Sequence, residues 1–340
     1  MAARNVGEWS EIYAVARLLT NEVAYSLTGS VRGIIRAKVQ HSIAEPAVEY
    51  VVSGQTISVN QGNEESFQLD RKEISRLASE LLSDMRVKSE RTFQSDAGVR
   101  LVKLLGFGGA SAVLRDDVKV VFTTTKPTEW KGVSIKSFIG AKPTLLNASS
   151  ATNFVYKLIG PQDSLRKVSK LNTITMKPLF DFFRENHIDL AFSSMDNRMF
   201  SKSLQSFSPD LESLIAQMLR DAAFQPKKKL KDVWGLTSKS GKGEVLVVDA
   251  GLQRFLGAVA FGLQPATLWV PRGNAFGGFL NINPDGNAEL FGETNMDVLG
   301  ARLFEALKFE WGSRTRHKFG IPFKSGSEFM IKLNLQLRYG

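Results

Sequence analysis

Asp117 and Lys136 are the residues whose types and setting could do chemistry. Asp117 opens the apolar run Val118-Lys119-Val120-Val121-Phe122, which predicts a strand. Residues 123–131 then carry turn formers, Pro127 among them. Gly132-Val133-Ser134-Ile135-Lys136-Ser137 alternates and predicts a second strand, with Ser134 and Lys136 pointing one way and Ile135 the other. Such a hairpin can bring Asp117 beside Lys136 on one face. A carboxylate there suits a hard divalent cation. An adjacent lysine can place or deprotonate a water for attack. The same spacing also suits an ordinary surface ion pair. Ser134 is a poor ligand for a hard cation, so a second carboxylate has to come from elsewhere.

The nearest elements that could supply it lie at the start of the chain. Gly7 to Thr20 predicts a helix, with Ile12, Val15, Leu18 and Leu19 at helical spacing. Glu8 and Glu11 both lean towards that stripe. Acidic residues in a first turn are explained by the helix dipole. The functional alternative is that one of them reaches under a sheet and supplies the missing ligand.

Composition narrows the chemistry further. The chain has 340 residues, 43% hydrophobic, with five Trp and 23 Phe. That is enough for one large or two modest domains. A formal charge of +10 and a pI near 9.6 favour a polyanionic partner. The absence of cysteine excludes disulfides, Cys-ligated zinc, iron–sulfur clusters and thiol nucleophiles. Three histidines make a His-rich metal site a poor reading. Residues 1–5 lack the apolar core of a signal peptide. No run approaches the ~20 apolar residues of a membrane span. The expectation is a soluble, cytoplasmic protein with no membrane partner.

Several polar groups could hold an anionic polymer. Ser137 and the small polar run holding Asn147, Ser149 and Asn153 could donate to phosphates or read base edges. Arg272 and Asn274 sit on a glycine-rich loop, where arginine could pair bidentately with guanine. Arg314, Arg316, His317 and Lys318 form a dense basic cluster suited to phosphates. Phe329 to Tyr339 reads as a single strand whose polar face carries Lys332, Asn334, Gln336 and Arg338.

The remaining chain predicts the scaffold. Ala47 to Val59 reads as strand, turn at Ser53-Gly54, strand. Leu69 to Arg86 reads as a helix capped by Asp70, with Glu73 completing a capping box. Phe154 to Ile159 could be helix or strand. Leu179–Asn186, Leu211–Phe224 and Met296–Trp311 predict helices, Val245–Val248 a strand, and Asn283–Asn287 a turn. Ser240-Gly241-Lys242-Gly243 is no P-loop, because the glycine spacing is wrong and no Ser or Thr follows Lys242. A composition change over 224–242 suggests a division into 1–225, with a catalytic core around 7–160, and 226–340.

Three blocks carry a family resemblance. Asn5-Val6-Gly7-Glu8-Trp9-Ser10-Glu11-Ile12-Tyr13 resembles the N-terminal signature of the HpaII family of type II restriction endonucleases. Gly132 to Ser137, with Thr144 to Ala148 and Thr152-Asn153-Phe154, is similar to its central block. Lys332 to Tyr339 resembles its C-terminal end. The resemblance implies an α/β fold of the PD-(D/E)xK type, a mixed central sheet flanked by helices, with a C-terminal α+β DNA-recognition region. It further implies Mg²⁺-dependent cleavage of double-stranded DNA at a short palindrome such as CCGG, leaving a 5′-phosphate. Asp117, Lys136, Glu11 and Ser134 become the catalytic set, and Asp117, Glu11 and the carbonyl of Ile135 the metal ligands. Gly7 to Glu11 matches the Gly-x-x-x-Glu helix start of archaeal junction resolvases in the same superfamily, which favours Glu11 over Glu8. The family itself writes serine at the position of Ser134. Cutting both strands of a symmetric site favours a homodimer. A cognate DNA methyltransferase is expected in the same cell, though not as a stable partner. The rival expectations are a junction-type nuclease that cuts by shape and a DNA-binding protein without catalysis.

Overall fold

The computed structural model describes residues 3–25, 33–39, 47–61, 67–88, 90, 92–106, 118–122, 129–168, 171, 175–225, 228–240, 245–270, 278–292 and 296–340. The chain forms two compact units. One comprises Met1–Pro143, Ala260–Gly262 and Ala275–Met296, and the other Thr144–Val259, Leu263–Asn274 and Asp297–Gly340. The expected boundary over 224–242 therefore lies inside the second unit.

The first unit begins with helix α1, Val6–Leu19. Asn5 accepts from the Glu8 amide at 3.0 Å, and Glu8 Oε2 accepts from the Asn5 amide at 2.8 Å. This reciprocal capping box satisfies amides that a helix start leaves without partners. Trp9, Ile12, Tyr13, Val15, Leu18 and Leu19 are buried along it. Helix α2, Arg71–Val87, and helix α3, Asp96–Leu104, share that core. Asp70 caps α2 as expected, accepting from Lys72 at 2.9 Å. Glu73 does not close a box there but accepts from Arg100 on α3 at 3.0 Å.

The helices cover a mixed sheet whose main strands are β1 (Ile34–Val39), β2 (Val48–Ser53), β3 (Thr56–Gln61), β4 (Phe67–Asp70), β5 (Val118–Phe122), β6 (Lys131–Ser137), β7 (Gly278–Ile282) and β8 (Ala288–Gly292). With the short strand Ala24–Tyr25 at one edge, the order is Ala24–Tyr25, β8, β7, β6, β5, β1, β2, β3, β4. Neighbours run antiparallel except for two parallel pairs, β6 with β7 and Ala24–Tyr25 with β8. The hairpin of β2 and β3 turns through Gly54 at φ +56°, where an L side chain would be strained. The turn over 283–287 is also present, and Tyr13 Oη donates to the Gly286 carbonyl at 2.6 Å.

The second unit holds an antiparallel sheet in the order Asp189–Met195, Asn153–Ile159, Glu328–Asn334, Phe323–Ser325. A three-stranded sheet orders Thr144–Leu146, Leu337–Tyr339, Leu307–Phe309. Helices Met176–Glu185 and Leu211–Phe224 match expectation. Three expectations are corrected. Val245–Val248 is the first turn of a helix running to Ala260, because a short apolar run has no period to separate strand from helix. The helix starting at Met296 stops at Ala306, and Leu307–Phe309 joins a sheet instead. The C-terminal run is two strands in two sheets, broken where the Leu335 amide donates to the Thr152 carbonyl at 2.9 Å. Among the described residues no helix is long and apolar enough to cross a membrane.

Candidate active site and nucleic-acid interface

The site in the first unit is built on β6. Val133 and Ile135 belong to the core shared with α1, and Ser137 Oγ donates to Ser10 Oγ of α1 at 2.9 Å. The first turns of α1 thus meet the C-terminal end of β6. Alternation carries Ser134 and Lys136 to the opposite face, as the sequence predicts. Ser134 is buried and Lys136 is half-buried. The Lys136 ammonium has no hydrogen bond or ion pair with any described residue. Its neighbour across the parallel register with β7 is Asn281, and Asn281 in turn faces Glu289 on β8. Leu280 and Ile282 belong to the α1-side core, so Asn281 shares the Lys136 face. Its Oδ1 is buried without a partner. Sequence reasoning passes over Asn281, whose signal is a lone amide inside an apolar strand.

The same sheet face is basic further along. Arg36 and Lys38 on β1 both bond Glu49 on β2, at 3.1 Å each. Their cations lie 5.0 and 5.9 Å from the centroid of the Trp130 ring. Burial alone would raise the Glu49 carboxyl, but the bonds and charges of Lys38 and Arg36 outweigh it, and its pKa is lowered.

On α1, Glu8 is committed to the capping box, and Glu11 is half-buried one residue from Ser10. Asp117, which immediately precedes β5, lies outside the described residues, as do Arg272 and Asn274. Among the described residues no group of three His, Asp or Glu side chains converges as a metal cage. The donors at hand are hard oxygens, namely carboxylates, strand carbonyls and the orphaned Asn281 Oδ1. Hard oxygen donors suit a hard divalent ion better than a soft metal.

The second unit gathers most of the predicted polar contacts. A Cβ placed on Gly312 would lie 2.7 Å from Gln336 Oε1, 2.8 Å from Ala148 Cβ and 3.4 Å from His317 Cδ2. The polar run at 147–150, the basic cluster at 314–318 and Gln336 therefore meet at one place. Arg316 and Lys318 are exposed, as is Asn147, while His317 and Ser149 are half-buried. Arg314 is turned inward and donates to the Gly320 carbonyl. The others are tied down. Asn153 and Asn334 are fully buried, and their amides bond one another, Asp196, the Ser149 carbonyl and the His317 carbonyl. Lys332 pairs with Asp196 at 2.8 Å. Gln336 and Arg338 both donate to Glu310. The single polar face expected along the C-terminal run does not exist, because the run changes sheet within it. Asn153 and Asn334 brace the segments around them from within.

Residues 5–339 match the model of the HpaII restriction endonuclease family. The chain belongs to that family. It is 28% identical over 353 residues to the type II restriction enzyme HpaII of Haemophilus parainfluenzae, covering 98% of each chain. No solved structure matches it. Membership of the HpaII family makes the chain a type II site-specific deoxyribonuclease, with DNA as its substrate. The mixed sheet flanked by helices is consistent with the restriction-endonuclease fold. Enzymes of this class generally use divalent cations, in keeping with the oxygen donors around β6.

Proposed function

We propose that this chain cuts both strands of duplex DNA at a short palindrome by Mg²⁺-dependent hydrolysis, leaving 5′-phosphates. CCGG is the sequence the family resemblance points to. The observation that carries the reading is Lys136, a partly buried ammonium with no counter-charge among the described residues. Withdrawing a charge from water without a partner is costly. A lysine kept in that state is suited to a ligand that arrives later.

In this reading Asp117, Glu11 and the carbonyl of Ile135 would hold the cation. The bound ion would supply stabilisation of the charge that develops on the phosphoryl oxygens. Lys136 donates to the attacking water and holds it in line with the scissile bond. The water oxygen bonds phosphorus as the bond to the 3′ oxygen breaks. One water proton passes to solvent, the 3′ oxygen takes up a proton and leaves as a hydroxyl, and the phosphate stays on the 5′ end. Ser134 lines the strand beside Lys136 without ligating. Arg316, Lys318 and Asn147 contact the DNA backbone, and Arg272 and Asn274 read bases. The enzyme acts as a homodimer on its symmetric site in the cytoplasm, and a cognate methyltransferase protects the host.

Digestion of a plasmid with Mg²⁺, followed by sequencing of the fragment ends, tests the reading directly. Discrete fragments with one common end sequence and 5′-phosphates are expected. A smear, or cutting of branched DNA only, would replace sequence recognition by shape recognition. Lys136→Ala and Asp117→Ala should abolish cleavage while DNA binding persists, and Glu11→Gln should do the same. Normal cutting by any of the three removes that residue from the site.

A further inference from the structure

A second group stands beside Lys136, and its chemistry complements that of a lysine. Asn281 is the direct neighbour of Lys136 in the parallel register of β6 and β7. Adjacent strands lie ~4.8 Å apart, so the two side chains leave the sheet side by side on one face. Lys136 brings only donors and Asn281 Oδ1 is an acceptor. Neither is satisfied by a described residue, and they do not bond each other. A buried acceptor without a partner is destabilising. Such an atom in a folded protein calls for an explanation in a catalytic role or a bound water. Of the neighbouring positions on this face, Phe279 and Phe291 are apolar and fully buried, and Glu289, across from Asn281 on β8, carries a carboxylate that accepts hydrogen bonds and so cannot donate to Asn281 Oδ1.

We propose that Asn281 is a further catalytic residue, and that its amide oxygen and the Lys136 ammonium together hold the attacking water. Lys136 donates to one lone pair of that water. The water donates one hydrogen to Asn281 Oδ1. With two of its directions fixed, the remaining lone pair is aimed and the water cannot tumble. Lys136 alone leaves it free to rotate about a single bond. The proposal rests on the reading of Lys136 given above and adds a residue to it.

The test combines kinetics with a readout that needs no metal. Asn281→Ala should lower the single-turnover rate about 10²-fold, the scale on which a misplaced reacting group matters. Its affinity for duplex DNA, measured without divalent cation, and its melting temperature should stay close to those of the unaltered protein. Asn281→Asp keeps an acceptor oxygen in place and should recover most of the rate. Lys136→Ala combined with Asn281→Ala should be no slower than Lys136→Ala alone, because both act on one water. A crystal structure of the metal-free protein should show a water within about 3.2 Å of both Asn281 Oδ1 and Lys136 Nζ. The idea is overturned if Asn281→Ala cuts at the normal rate while Lys136→Ala is inactive. It is also overturned if Asn281→Ala loses rate, binding and melting temperature together and Asn281→Asp restores none of them. Normal cutting by Lys136→Ala would instead defeat the underlying reading of the site.

Discussion

Asn334 Nδ2 donates to Asn153 Oδ1 at 2.6 Å inside the second unit. The pair joins neighbouring strands at the register Asn153↔Asn334 and connects outward to the carbonyls of Ser149 and His317. Two exposed segments, the polar run and the basic cluster, are thereby held by one buried amide network. Removing one member leaves other buried polar groups unpaired, at about 1–3 kcal/mol. Asn153→Ala should therefore shift the denaturant midpoint down with an unchanged slope. It should also weaken DNA binding through the displaced basic cluster. Unaltered stability in a urea titration would show that the network is dispensable.

The exposed cations of that cluster should act through charge alone. Arg316→Ala and Lys318→Ala each remove a phosphate contact, so affinity falls alike for cognate and random duplex. The slope of log Kd against log salt should shrink by about 0.9 per charge. Lys332→Ala should change the slope little, because its ammonium is already paired with Asp196. Anisotropy titrations across a salt series separate these outcomes.

Close packing in the first unit makes a glycine irreplaceable. A Cβ at Gly98 would lie 2.5 Å from the Trp9 ring. That ring is fully buried and its Nε1 donates to the Phe93 carbonyl at 3.2 Å, so it has little freedom to retreat. Gly98→Ala should cost about 1–3 kcal/mol. Gly235→Ala is the contrast, because nothing lies within 4 Å of its Cβ position in the helix Leu230–Ser240. It should stabilise by about 0.5–1 kcal/mol. Paired denaturation curves check both signs.

Glu49 gives a pH signature. Its folded pKa lies below the ordinary value of 4.5 because Lys38 and Arg36 outweigh its burial. A depressed carboxylate contributes stability that is present above its unfolded pKa and lost as pH falls through the folded one. Glu49→Gln should therefore melt lower than the unaltered protein at neutral pH. The gap should close as pH drops below 4.5 and on through the lower, folded value. A gap that never narrows as the pH is lowered would assign the effect to packing.

Local pattern determined much of this protein. Apolar spacing placed α1, and the alternation in β6 assigned Ile135 to the core and Ser134 and Lys136 to the other face. Both are properties of a few consecutive residues and the period of their backbone. Family blocks spread along the chain carried its membership. What the sequence left open depends on partners distant in the chain. Asn281 becomes the neighbour of Lys136 only because β7 lies parallel to β6 after a long excursion through the second unit. Asn334 leaves the expected polar face because the strand breaks at Leu335 to bond Thr152. Glu8 and Glu11 both lean towards the apolar stripe of the helix, and only the cap geometry commits Glu8 to Asn5. Periodicity records which side of an element is apolar. Which polar groups meet across elements is set by strand order and register, and those are decided by tertiary packing.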